Sequence, residues 1–153
     1  MRIWRLCRAK HAKTAFSGEG ARLAGGRWNH KGVSVAYCAS SLSLATLELF
    51  VHVEPATMPD DLVAIEAELA DGASREVLDA KTLPADWRSV PGPDALRDMG
   101  SDWAREARSL ALVVPSAIVP REQNILINPA HPEFRLLTVV ETAPFSFDPR
   151  MWK

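Results

Sequence analysis

The stretch "DLVAIEAELA" (61–70) sets Val63, Ile65, Ala67 and Leu69 against Glu66 and Glu68, and closes on Asp71 and Gly72. A period of two places one set of side chains on a buried face and the other in water, so the chain must build a sheet with at least one covered face. Other segments have the same character. "RIWRLCR" (2–8) and the β-branched "GVSVAYCA" (32–39) read as strands, as do "ALVVPSAIVP", interrupted by Pro115 and Ser116, and later "NILINP" and "FRLLTVVET". One early segment differs. "SLSLATLELFVHV" follows the serine pair Ser40 and Ser41, which suits a helix N-cap, and its apolar residues fall on nearly every face. This predicts a helix buried on most sides. Strands dominate after it, so the expected class is α+β, not the alternating βαβ of a doubly wound sheet.

The remaining spans carry weaker signals. Residues 14–32 hold five of the eight glycines and read as one long loop, a length that in a compact domain marks function or disorder. Residues 71–100, with Pro84, Pro91, Pro93 and many charges, read as irregular connection with short helices. "SDWAREARSL" (101–110) has the composition of a short exposed helix. With 153 residues and 47% apolar content the chain is expected to form a single domain, residues 1–153, around a real core.

Charge and cysteine content exclude several classes. A net charge of −1 supplies neither the counterion-releasing surface expected of a nucleic-acid binder nor attraction to anionic lipid. The basic N-terminus lacks an apolar signal core, and no long apolar run follows, which predicts a cytoplasmic protein. Cys7 and Cys38 lie far apart in strand-like stretches and are expected to be buried, reduced thiols. His11, His30, His52 and His131 are scattered, with no HExxH and no paired CxxC, so no metal is expected.

Several residues nevertheless carry chemistry. "GEGARLAGGRWN" fits neither GxGxxG nor GxxxxGK[ST], but it joins a permissive backbone at Gly25 and Gly26 to Arg22 and Arg27, whose guanidinium forks match phosphate or carboxylate. An ordinary loop with solvated arginines is the competing reading. Glu48 in "LATLELFV" either faces the exposed sliver of its helix or points into a polar cleft, and His52, four residues on, shares its face. Tyr37 either stacks on a flat ring with its hydroxyl free or is a core tyrosine with a satisfied hydroxyl. Ser116 has no GxSxG context and is a ligand donor or a bulge residue, while Asn124 and Asn128 cap turns or bind a ligand.

Together "GEGARLAGGRWNHKG", "VAYCASSLSLATLELFVH", "VPSAIVPREQNILINPAHP" and "FSFDPR", with Arg5 in the first strand, resemble the RES-domain family over nearly the whole chain. The arginine, glutamate and serine that give the family its name fall on Arg27, Glu48 and Ser116. The resemblance implies the toxin of a toxin–antitoxin pair, with a fold similar to bacterial ADP-ribosyltransferase toxins. It implies an NAD+-consuming enzyme with Arg27, Tyr37 and Glu48 as its catalytic constellation. Gly26, Arg27, Tyr37, Ser116 and Asn124 would contact the dinucleotide, with Trp28 packing behind the cleft and Asn29 fixing the turn. An Xre-type antitoxin would cover the cleft. The acceptor of ADP-ribose, whether protein, water or phosphate, is not distinguished by these motifs. A catalytically silent module acting only through its antitoxin is the alternative, and a ribonuclease lacks its basic and aromatic footprint.

Overall fold

The period-two stretch forms the eight-residue strand β3 (Leu62–Leu69) in a computed structural model that describes residues 1–153. It lies between β1 (Arg2–Arg8) and β7 (Leu137–Pro144) in a seven-stranded sheet. The other strands are β2 (Ala36–Ala39), β4 (Arg75–Val77), β5 (Ala111–Pro115) and β6 (Gln123–Ile127), giving the order β4-β5-β6-β2-β1-β3-β7. Only β4 and β5 pair in parallel. The α+β expectation is therefore met.

Both faces of the sheet are covered. One buries Ile3, Cys38, Ile65, Ala67 and Ile125 beneath Ala15 and Phe16. The other presents Leu112, Val114 and Leu126 to Trp28, Leu96 and Trp103. A smaller cluster joins Ala39 to Leu44 and Ala45, with Trp4 and Leu6 beside it.

Three helices complete the chain: α1 (Glu19–Ala24), α2 (Leu42–Phe50) and α3 (Asp94–Arg105). The α2 start is as expected, with the Ser41 hydroxyl accepting the Leu44 N–H at 3.1 Å. The helix is less buried than its composition predicts. Only Leu44 and Ala45 are fully covered, because one flank meets the sheet while another opens onto a cleft.

Five further expectations are corrected. The supposed long loop over 14–32 contains α1, since Gly18 and Gly25, with φ of 70° and 73°, bound a short helix and are not links of a flexible segment. The strand over 32–39 shortens to Ala36–Ala39; Val33 and Val35 are buried under α3 outside the ladder. The irregular span 71–100 contains β4 and the first half of α3, and the short exposed helix over 101–110 is the second half of that amphipathic helix. Leu96, Gly100, Trp103 and Ala104 form the helix's buried stripe, which Gly100 and the neighbouring prolines obscure in the sequence. Phe134 to Leu136 belong to a 3-10 turn that precedes β7.

Cys38 is buried as expected, whereas Cys7 is half-exposed at the end of β1. Burial pushes the Cys38 thiol from its ordinary 9.0 up to about 12, with Arg5 partly opposing the shift. The unfolded chain ionises this thiol first, so its contribution to stability is complete below about pH 8.5 and is lost as pH rises toward the folded value. Denaturant midpoints at pH 7.5 and 10.5 should therefore differ more in the wild type than in Cys38→Ala. Equal differences would mean that the buried thiol ionises normally.

Candidate active site

The first two strands pair at one position only, Trp4 with Ala39, whereas β1 pairs with β3 along its whole length. Beyond Trp4 the two strands part. Arg5 reaches across the opening, its Nη1 donating to the Tyr37 carbonyl at 2.6 Å. The gap, roofed by α2, is a cavity of about 170 Å³ lined by Trp4, Leu6, Tyr37, Leu49, Glu48 and Asn124, among others.

Glu48 is the carboxylate of this cavity. Its Oε1 accepts from the Ser116 hydroxyl at 2.8 Å and from Asn124 Nδ2 at 2.6 Å. Ser116 is fully buried, and its oxygen also accepts the Ile118 and Val119 N–H groups, at 3.1 and 3.0 Å. A hydroxyl has one proton, and here it is committed to Glu48. Ser116 thus holds the carboxylate, which differs from the expected donor to a dinucleotide. Both donors fall on Oε1, so Oε2 is the oxygen left for another partner. Glu48 makes no hydrogen bond to His52, although the four-residue spacing would put the two on one helix face. The helix ends at Phe50, and His52 lies exposed in the turn beyond it, where helical register no longer applies.

Tyr37 borders the same cavity from β2. Its hydroxyl donates to Asn29 Oδ1 at 2.7 Å and accepts the Trp28 N–H at 3.0 Å. Burial raises its pKa, with the Trp28 N–H, Arg97 and Arg27 acting in the opposite direction. The hydroxyl is satisfied, so the ring is what Tyr37 offers to a ligand. Gly26 must be glycine here, because a Cβ would stand 2.5 Å from that hydroxyl oxygen.

Arg27 is half-buried. Its Nη1 donates to the Trp87 carbonyl at 2.8 Å and to the Ser89 carbonyl at 3.0 Å. Desolvation lowers its pKa, while Glu48 and Tyr37 raise it and Arg97 lowers it further. Glu48 therefore lies within electrostatic reach of Arg27. Trp28 packs in the core, and Asn29 is wholly buried, its Nδ2 facing the carbonyls of Ala21, His30 and Val33. Both realise the roles expected of them. Asn128 does not join the cleft; its side chain ties the Ala104 carbonyl at the end of α3 to the turn at Ala130.

Two residues that line the cavity each carry a buried polar atom with no partner in the protein, Arg5 Nε and Asn124 Oδ1. One is a donor and the other an acceptor, which suits a ligand that carries both. Sequence reasoning names Arg5 only as part of the first strand and assigns it no place in the site. It also misses Arg97, whose Nε reaches the Gly26 carbonyl at 3.2 Å, and the 87–92 loop around Arg27. An arginine within an apolar strand is a signal that could have exposed the first of these; the others have none. No cluster of three or more His, Cys, Asp or Glu side chains is arranged to hold a metal ion. No helix is long and apolar enough to cross a membrane.

A carboxylate fixed by two donors, an aromatic wall and the Arg5 side chain, gathered around a gap in the sheet, define a cleft suited to a ligand with both charge and flat rings. The RES domain model matches residues 2–148, and the chain belongs to the RES-domain family. It is 38% identical to "Toxin Res" of Yersinia enterocolitica over 152 residues, covering 99% of both chains. It is 40% identical to "Prs ADP-ribosylating toxin" of a Sphingobium species over 153 residues, 97% of this chain and 95% of that one. The toxin–antitoxin complex MbcT-MbcA of M. tuberculosis contains a similar fold, with a TM-score of 0.71 at 19% identity over 99% of this chain and 86% of that chain.

Proposed function

We propose that the chain is the toxin of a toxin–antitoxin pair and that it cleaves the bond between nicotinamide and ribose in NAD+, passing ADP-ribose to an acceptor. The observation that carries this reading is the Glu48 carboxylate, fixed through Oε1 by Ser116 and Asn124 with Oε2 left for the substrate. As the glycosidic bond breaks, its electron pair goes to the pyridinium nitrogen and positive charge develops on the ribose. A carboxylate beside that ribose stabilises the charge, as in glycoside cleavage.

The other residues take roles consistent with their surroundings. Arg27 grips the pyrophosphate or a ribose hydroxyl, and Gly26 leaves room for the Tyr37 hydroxyl. The Tyr37 ring stacks on nicotinamide. Asn124 turns one end of its amide to Glu48 and keeps Oδ1 for the dinucleotide. The named activity of the Sphingobium relative and the toxin–antitoxin setting of the M. tuberculosis one support the same reading. An Xre-type antitoxin covering the cleft, action in the cytoplasm and the nature of the acceptor belong to this proposal.

The test is incubation of the purified chain, free of antitoxin, with NAD+ and cell lysate, following nicotinamide and labelled ADP-ribose. Release with a labelled protein band identifies a transferase. Release without one identifies hydrolysis or phosphorolysis, which added phosphate separates. No release from folded protein would overturn the enzymatic reading and leave a module that acts only through its antitoxin.

A further inference from the structure

Arg27 has four rotatable bonds, yet its guanidinium is held at Nη1 by two hydrogen bonds. What holds it is the exposed loop before α3. Trp87 anchors that loop in the core alongside Trp28 and Val114. From there the carbonyls of Trp87 and Ser89 take both protons of Arg27 Nη1. Nε and Nη2, the edge of the guanidinium that matches a phosphate or a pair of hydroxyls, are left over.

The same loop is tied to the opposite side of the site. Arg88 Nε donates at 3.0 Å to the carbonyl of Ala117, the residue after Ser116, which holds Glu48. The Ser89 hydroxyl donates to the Pro91 carbonyl at 2.9 Å and braces the tip. Gly92 then lies against the arginine. A Cβ there would come within 2.7 Å of Arg27 Nη1 and 3.3 Å of its Cγ and Cζ. The close neighbour is the flexible end of a side chain, so an added methyl group would displace Arg27 and leave the fold intact.

We propose that the 87–92 loop is a gauge that sets the position of Arg27 relative to Glu48, with Gly92 and Arg88 as its positioning residues. The proposal rests on the reading of the cleft as an NAD+ site. Arg27 binds the dinucleotide in the ground state and in the transition state alike, so a misplaced arginine weakens binding more than chemistry.

In the full-length purified chain, Gly92→Ala is expected to raise KM for NAD+ about tenfold or more and to change kcat by less than about threefold. Its melting temperature should stay near that of the wild type. Arg88→Ala should raise KM several-fold, and Arg88→Lys, which can still donate to the Ala117 carbonyl, should recover most of that loss. A second measurement does not depend on turnover. In nitrogen-15 spectra the Arg27 Nη1 protons, held by two carbonyls, should give resolved signals that merge with those of solvated arginines in Gly92→Ala. Unresolved Arg27 signals in the wild type, or signals unchanged in Gly92→Ala, would overturn the proposal. So would an unchanged KM in a variant whose signals have merged, or failure of lysine at 88 to restore binding lost with alanine. Should the wild type release no nicotinamide, the functional reading fails by itself and the spectra alone decide whether the loop holds Arg27.

Discussion

Replacing Glu48 by glutamine is expected to lower nicotinamide release by about 10²- to 10³-fold with little change in stability. Glutamine has the same shape, and its amide oxygen can still accept from Ser116 and Asn124, the two donors that now hold Oε1. What it lacks is the negative charge opposite the developing oxocarbenium ion. Removing one preorganised electrostatic group of this kind typically costs about 3–4 kcal/mol of transition-state stabilisation. Ser116→Ala separates charge from placement. It keeps the carboxylate but loosens it, so its loss of rate should be smaller than that of Glu48→Gln. A Glu48→Gln protein that turns over NAD+ at the wild-type rate would remove the carboxylate from the mechanism.

Asn29→Ala is expected to be the most destabilising substitution in the glycine-rich segment, by about 2–4 kcal/mol, read from the denaturant midpoint. Asn29 is wholly buried and sits among four partners. Nδ2 faces the carbonyls of Ala21, His30 and Val33 at 2.9 to 3.1 Å, and Oδ1 receives the Tyr37 hydroxyl at 2.7 Å. Two amide protons serve three carbonyls, so the bonds are shared, which keeps the expected cost below three times that of a single bond. Truncation leaves those carbonyls without their donor and Tyr37 without its acceptor. Aspartate discriminates between the two ends of the side chain. It would still accept from Tyr37 but could not donate to the carbonyls, so Asn29→Asp should be at least as unstable as Asn29→Ala. An aspartate variant as stable as the wild type would mean that the donor side contributes nothing.

The sequence makes some of this architecture legible and hides the rest for identifiable reasons. The alternation in residues 61–70 and the Ser41 cap are local patterns with local causes, and both appear where expected. The α3 stripe is equally regular, but Gly100 lies inside it and prolines precede it, which are the marks of a broken segment. In residues 14–32 glycines suggest flexibility, although Gly18 and Gly25 bound a helix. At the site, Glu48 stands out as a carboxylate in an apolar helix. Its partner is less visible. His52 is four residues away along the chain, while Ser116 and Asn124 lie 68 and 76 residues away and meet it only through the sheet. The hold on Arg27 is illegible from sequence, since it is made by main-chain carbonyls that every residue possesses.

The single paired position between β1 and β2 has a consequence for how such a cleft can exist at all. The seam between these strands is a zipper stopped after one tooth, Trp4 with Ala39, and the guanidinium of Arg5 sits where the next teeth would mesh. Sheet continuity and the cavity compete for the same few residues. Every further pair that closed along this seam would restore ladder hydrogen bonds and erase an equal length of the cleft.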